Sequence, residues 1–211
     1  MAAPYARRVS SQPSTQPAGA HSALASTLPR RGLNARQAET VEKLFEAAAD
    51  LLEEAAYDDL TIRLVAARAS VSAATAYTYF SSKDHLFAAL FWRHVAQAPT
   101  PELAGDITAR LQQVVRHLAE AMAASPALAA AATKSLLGSD PDVQVLRRRL
   151  GSHWQELFAV ALGEAADPGL LRALTFTFSG ALLEAGMGIL PYADLGPQLE
   201  AAFALIVRGN G

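Results

Sequence analysis

From Arg36 onward, apolar side chains recur at the spacing of an α-helix. Val41, Leu44, Phe45, Ala48, Leu51, Leu52 and Ala55 share one face, and Glu42, Lys43, Glu46, Asp50, Glu53 and Glu54 share the other. The stretch AYDDLT, residues 56–61, then reads as a turn whose Thr61 caps a short helix over 62–69, with Leu64, Val65 and Ala69 turned inward. Ser70-Val71-Ser72 interrupts it. Ser72 caps a third helix over 73–79, since a hydroxyl there satisfies an otherwise orphan amide. Phe80 closes the small core these helices make, and Ser81 or Ser82 caps a fourth helix carrying Leu86, Phe87, Leu90, Phe91 and Val95.

Beyond Pro99 and Pro101 the pattern predicts helix over about 102–124, 127–137, 141–165, 168–190 and 195–208. Pro126, Gly138, Pro141, Pro168 and Pro191 stand where helices start or stop. No segment alternates as a strand does, so the predicted class is all-α with about nine helices. Residues 1–34 have no such period. Rich in Ser, Pro, Ala, Gln and Thr, they cannot bury enough apolar surface to offset their ordering entropy, and a disordered arm is expected there. The expected division is therefore an arm, 1–34, a first helical domain, 35–82, and a second, 83–211.

Composition narrows the function classes. A hydrophobic fraction of 51% in 211 residues supports a substantial core. The net charge of −2 gives no global attraction to polyanions. Locally, however, residues 61–93 hold Arg63, Arg68, Lys83 and Arg93 against Asp84 alone. Cysteine is absent, which excludes disulfides and thiolate chemistry. No apolar run approaches the ~18 residues that span a bilayer, and no signal segment is evident, so a cytoplasmic protein without membrane attachment is expected. Five scattered histidines with no pair at i, i+4, no G-x-S-x-G and no phosphate loop give no sign of an enzyme, a metal or a cofactor.

Two short helices around a tight turn, the second ending in aromatics, describe a helix-turn-helix, whose second helix enters the DNA major groove. Residues 38–91, and above all TIRLVAARASVSAATAYTYFSSKDHL over 61–86, closely resemble the N-terminal domain of TetR-family transcriptional regulators. The match joins the helix-turn-helix spacing to a Y-x-Y-F-x-x-K ending and to the preceding amphipathic helix. It covers about a quarter of the chain. The resemblance implies a DNA-reading surface of Thr61, Arg63, Ser72, Ala73, Ala74, Thr75, Tyr77, Thr78, Tyr79 and Lys83. Small Ala73 and Ala74 admit base edges, Thr78 meets a thymine methyl or a phosphate, and Arg63 reaches a base. Thr61, Thr75, Tyr77, Tyr79 and Lys83 then hold phosphates. The arm's Arg30 and Arg31 are either part of a dispensable tail or a minor-groove contact. The chain departs from the family where glycine is usual, with Ser70 in the turn and Ala56 before YDDLT.

A module of this size implies a homodimer on double-stranded DNA, reading a pseudo-palindromic operator, with repression as the family's usual mode. The last two helices are apolar on more than one side. Leu171, Leu174, Phe178, Leu182 and Met187, with Leu199, Ala202, Phe203 and Ile206, are the expected dimer surface, forming the family's four-helix bundle. Regulation implies a cavity for a small hydrophobic effector. Its expected lining is Phe91, Trp92, Val95, His117, Leu118, Met122, His153, Trp154, Phe158, Phe176 and Glu184. Arg147-Arg148-Arg149 reads as a solvated helix face, unless the effector is an acyl-coenzyme A whose phosphates it meets. The competing reading is a helical adaptor or ligand-binding protein that does not regulate through DNA.

Overall fold

The computed structural model describes residues 34–209, so all of the expected arm but Asn34 lies outside the described residues. Within them the chain forms nine α-helices and no strand. Helix α1, Ala35–Glu54, begins at a capping box between Asn34 and Gln37. A one-turn 3-10 segment, Tyr57–Asp59, leads to α2, Ile62–Arg68, and α3, Ala73–Tyr79. Thr61 caps α2 and Ser72 caps α3, each through its side-chain oxygen, as their sequence positions predict. Ser82 caps α4, Lys83–Gln97.

The turn between α2 and α3 explains the first departure from the family's glycines. Ser70 sits at φ +55°, while the Val71 amide bonds Ala66 O at 2.9 Å and the Ser70 amide bonds Ala67 O at 3.1 Å. That is a Schellman ending with a serine where glycine costs nothing. Ala56, at φ −66°, needs no glycine. A left-handed serine costs ~1–2 kcal/mol, part of which a glycine's looser unfolded chain returns. Ser70→Gly is therefore expected to stabilise the protein by ~0.5–1 kcal/mol, read as a higher urea midpoint at unchanged slope.

The remaining helices are α5, Ile107–Ala124, α6, Pro126–Leu136, α7, Pro141–Leu162, α8, Pro168–Gly186, and α9, Leu195–Gly209. Two boundaries differ from the periodicity by four residues or more. Helix α5 starts five residues late because Gly105, at φ +89°, turns the chain and Asp106 caps the Ala109 amide at 2.8 Å. Helix α8 stops at Gly186 because Gly188, at φ +76°, closes a second Schellman ending. Gly186 also lets α8 pass α6 closely, since a Cβ there would lie 2.5 Å from Thr133 Cγ2.

One continuous apolar core runs from Val41 of α1 through Phe87 and Phe91 of α4 to Phe203 of α9. It absorbs much of what the sequence assigned elsewhere. Phe91, Val95, Leu118, Met122, Trp154 and Phe158, expected to line a cavity, are buried, and the rings interlock edge to face. Trp154 meets Phe178 at 4.9 Å, and Phe158 meets Phe178 at 5.9 Å and Phe203 at 5.3 Å. Phe176 and Glu184 of the same set are exposed. Trp92, His117 and His153 are half-buried.

The expected dimer residues divide in the same way. Leu174, Phe178, Leu182, Leu199 and Phe203 are buried in their own chain and cannot face a partner, while Leu171, Ala202 and Ile206 are half-buried. Of that set, Met187 is openly exposed. The apolar groups that do face outward here are Phe176 on α8, Met187 and Ile189 just after it, and Leu205 on α9. In α2 the phase also differs, since Leu64 is 48% exposed, Ala69 is half-buried and Ile62 takes the inward place. Ala55, expected on the apolar face of α1, is its exposed C-cap.

Candidate nucleic-acid interface

Helices α1, α2 and α3 pack around Leu44, Phe45, Val65, Ala66, Ala76 and Phe80, with Phe45 and Phe80 ring centroids 5.4 Å apart. Burying Ala76 and Phe80 fixes which side of α3 faces away. Ser72, Ala74, Tyr77 and Thr78 are exposed, and Ala73, Thr75 and Tyr79 half-buried. The Ser72 oxygen accepts from the Thr75 amide at 3.0 Å and lies 2.8 Å from its hydroxyl, which ties down the start of the helix. Thr78 donates its hydroxyl to Ala74 O at 3.0 Å, so its bonding capacity is partly spent within the helix. Tyr77 projects with 49% exposure; Tyr79 rests against the core.

Around α3 the cations are not equivalent. Arg68 pairs with Glu54 and Lys43 with Glu39, each across an exposed surface. Arg63, exposed on the first turn of α2 beside exposed Thr61, makes no ion pair among the described residues. An open polar cleft of about 780 Å³ runs along α1 and the turn, lined by Arg36, Thr40, Ser70, Ser72 and Thr75 among others.

Lys83 departs from the expectation of a side chain projecting toward phosphate. Its ammonium donates to Tyr57 O at 3.0 Å and Asp58 O at 3.4 Å and lies 4.2 Å over the Tyr57 ring. The first turn of α4 still presents its backbone amides, which favour an anion. Sequence reasoning missed the group Lys83 holds. The Tyr57 hydroxyl bonds the Asp84 carboxylate and lies 2.8 Å from Ser135 Oγ on α6. Lys134 binds Asp58 at 2.6 Å. Burial, then the Asp84 bond, pushes the Tyr57 phenol well above its ordinary range, so it stays protonated and donating. A second junction lies nearby. Ser81 donates to Asp142 at 2.8 Å and Ser82 to Asp140, the residue that caps α7. Burial raises the Asp140 carboxyl, but the bonds from Ser82, the Asp142 amide and Ser81 outweigh it and hold it below its ordinary value. The reading helices are thus fastened to α6 and α7 at both junctions. The one local mark of Tyr57 is an aromatic inside an otherwise acidic turn, which says nothing of its partners.

The arginine run is not a uniform solvated face. Arg147 clamps the end of α6 through Leu136 O at 2.7 Å and Gly138 O at 2.6 Å. Arg148 is exposed, and Arg149 lies over Trp92.

Comparison with known proteins agrees with this architecture. The sequence model described as bacterial regulatory proteins, tetR family, matches residues 44–90, from α1 to α4. Uncharacterised HTH-type transcriptional regulators of Mycobacterium bovis and Mycobacterium tuberculosis are 42% identical over 179 residues, 83% of this chain and 84% of theirs. The HTH-type transcriptional repressor KstR of Rhodococcus jostii is 28% identical over 130 residues, 60% of this chain and 61% of that protein. A TetR transcriptional regulator from Rhodococcus superposes with a TM-score of 0.63 at 22% identity, over 81% of this chain and 97% of that one. No described helix is long and apolar enough to cross a membrane. The chain belongs to the TetR family of bacterial regulatory proteins and is a DNA-binding transcriptional regulator, not an enzyme.

Proposed function

We propose that the protein is a repressor that binds a pseudo-palindromic operator as a homodimer and leaves it when a small, largely apolar effector enters the helices beyond α3. Residues 35–82 are the reading domain and residues 83–211 the regulatory and dimerising one. Repression is supported by relatives named as repressors. The observation that carries the DNA reading is the outward face of α3. It is small at Ala73 and Ala74, hydroxylated at Tyr77 and Thr78, and flanked by unpaired Arg63. The hydroxyls of Thr61, Thr75, Tyr77 and Tyr79 take phosphate oxygens, and the α4 amides take another. With so few bonds offered by α3 itself, base selection falls chiefly to the guanidinium of Arg63.

The test is a gel shift on the DNA upstream of the protein's own reading frame. Arg63→Ala is expected to lose ~1–3 kcal/mol of preference for the right base, about 5- to 150-fold in specific affinity, and little in non-specific affinity. Lys83→Ala is expected to leave the salt slope unchanged, because its ammonium is engaged with carbonyls. A slope flatter by about one unit would return that ammonium to a phosphate. No binding at low salt, with no effect of Tyr77→Ala, would make the chain a helical adaptor instead.

A further inference from the structure

We propose that Arg149 and Trp92, with His153 and His117 beside them, form a receptor for a compact anion, a carboxylate or phosphate, carried by an otherwise apolar molecule. The proposal names the effector's head group and rests on the reading of residues 83–211 as effector-binding. Trp92 of α4 meets Arg149 and His153 of α7 here. The Arg149 guanidinium lies 5.5 Å over the Trp92 ring, and the Trp92 and His153 rings meet edge to face at 5.7 Å. His117 lies on α5, which packs against α7.

Two donors in this group have nothing to donate to. Arg149 Nη1 and Trp92 Nε1 are both closed off from solvent, and neither has a hydrogen-bond partner among the described residues. Among the described residues no carboxylate stands within ion-pair distance of Arg149, although Arg68, Arg93 and Arg116 all have one. Guanidinium does not deprotonate and indole N–H cannot accept, so neither group can relieve itself by losing or sharing a proton. What the site lacks is an acceptor, and one that carries negative charge. The planar fork of an arginine matches the paired oxygens of a carboxylate or phosphate.

The histidines fit the same occupant. Burial holds both below the ordinary imidazole value, so at neutral pH each keeps one N–H to offer. Glu120 and Glu156 pull the other way, but both carboxylates are exposed. The neighbouring arginines of the run do not share this state. Arg147 is used on the end of α6 and Arg148 is in solvent. The indole and imidazole walls supply the apolar surface for the rest of the molecule.

The chain has two tryptophans, so Trp154→Phe leaves Trp92 as the only reporter. Full-length protein with that change is titrated with octanoate, octyl phosphate and octanol. A saturable change in Trp92 emission is expected with the two anions and not with octanol, and the tighter of the two identifies the head group. Arg149→Gln is expected to weaken the response at least tenfold with unchanged helical circular dichroism. Arg149→Lys, which keeps charge but not the fork, should fall between. The proposal is overturned if neither anion saturates, if octanol binds as well, or if Arg149→Gln binds undiminished. A gel shift on the same samples separates the two readings. Saturable anion binding that leaves the operator complex intact keeps the receptor and removes the effector role. Release by octanoate that persists in Arg149→Gln keeps the effector role and removes the receptor.

Discussion

Phe176→Asp is expected to turn the proposed dimer into monomers and to abolish high-affinity operator binding while leaving the subunit folded. Phe176 of α8 is 68% exposed and Met187, the residue that caps the end of that helix, 58%, although the face carrying Leu170, Leu174, Phe178, Leu182 and Ala185 is deep in the core. Their outward stripe, Phe176, Gly180, Leu183 and Met187, repeats at i, i+4, i+7 and i+11. Gly180 has open space where a Cβ would be, room for a partner helix to approach. Exposed Leu205 and Ile189 extend the apolar area. Burying one phenylalanine contributes ~1.5–3 kcal/mol, and two-fold symmetry counts every substitution twice. Placing a carboxylate there adds desolvation, so the dimer should weaken by at least ~4 kcal/mol, about 10³-fold in its dissociation constant. Sedimentation over a concentration series measures it. Phe178→Ala is the control two residues along the same helix. Phe178 is fully buried against Trp154 and Phe158, so its loss should lower the unfolding midpoint and leave the association of folded chains alone. A Phe176→Asp protein that stays dimeric at nanomolar concentration would move the dimer face off α8.

The contrast between those two phenylalanines shows where the sequence was legible. Helix starts were readable because a cap is a local event. Thr61, Ser72 and Ser82 each satisfy an amide three residues on, and the sequence places the first two and narrows the third to Ser81 or Ser82. The reading helices were legible for the same reason, because Ala76 and Phe80 leave α3 one outward face. On α8 the periodicity has no phase to give. Residues 170–183 are apolar nearly all round, and only packing decides that Phe178 turns to Trp154 and Phe176 to solvent. The sequence accordingly placed Phe178 in the interface and Phe176 in a cavity. Leu64 misled on a smaller scale, since two turns of helix do not define a face. Tyr57 was beyond local reasoning altogether, because its partners Asp84 and Ser135 lie 27 and 78 residues away. Lys83 shows the cost. A lone lysine after two tyrosines reads as a phosphate anchor until the carbonyls of Tyr57 and Asp58 are seen beneath its ammonium.

Phe80→Ala is expected to have the opposite phenotype to Phe176→Asp, a protein that dimerises but cannot read DNA. Phe80 is 1% exposed, stacks at 5.4 Å on Phe45 and at 5.5 Å on His85, and ends α3 with its amide bonded to Ala76 O at 3.0 Å. It is therefore the side chain that fixes the end of the reading helix to α1 and to the start of α4. Removing a buried phenyl ring costs ~3–5 kcal/mol, a large part of the ~5–15 kcal/mol that holds a domain folded. Because the core runs on without a break through Phe87 and Phe91, the loss should lower the midpoint of the whole urea transition. Well below that midpoint the folded fraction should still be dimeric, since α8 and α9 pack chiefly on α5, α6, α7 and each other. Its operator affinity should nevertheless fall, because α3 can no longer hold Ala74, Tyr77 and Thr78 in one register with Arg63. Phe80→Leu, which refills most of the volume, should recover stability before it recovers affinity. Equal loss of dimerisation and DNA binding in Phe80→Ala would mean that reading and pairing are one mechanical unit. The fastenings of Tyr57 to Ser135 and of Ser82 to Asp140 would then carry more of the fold than the aromatic core of the head.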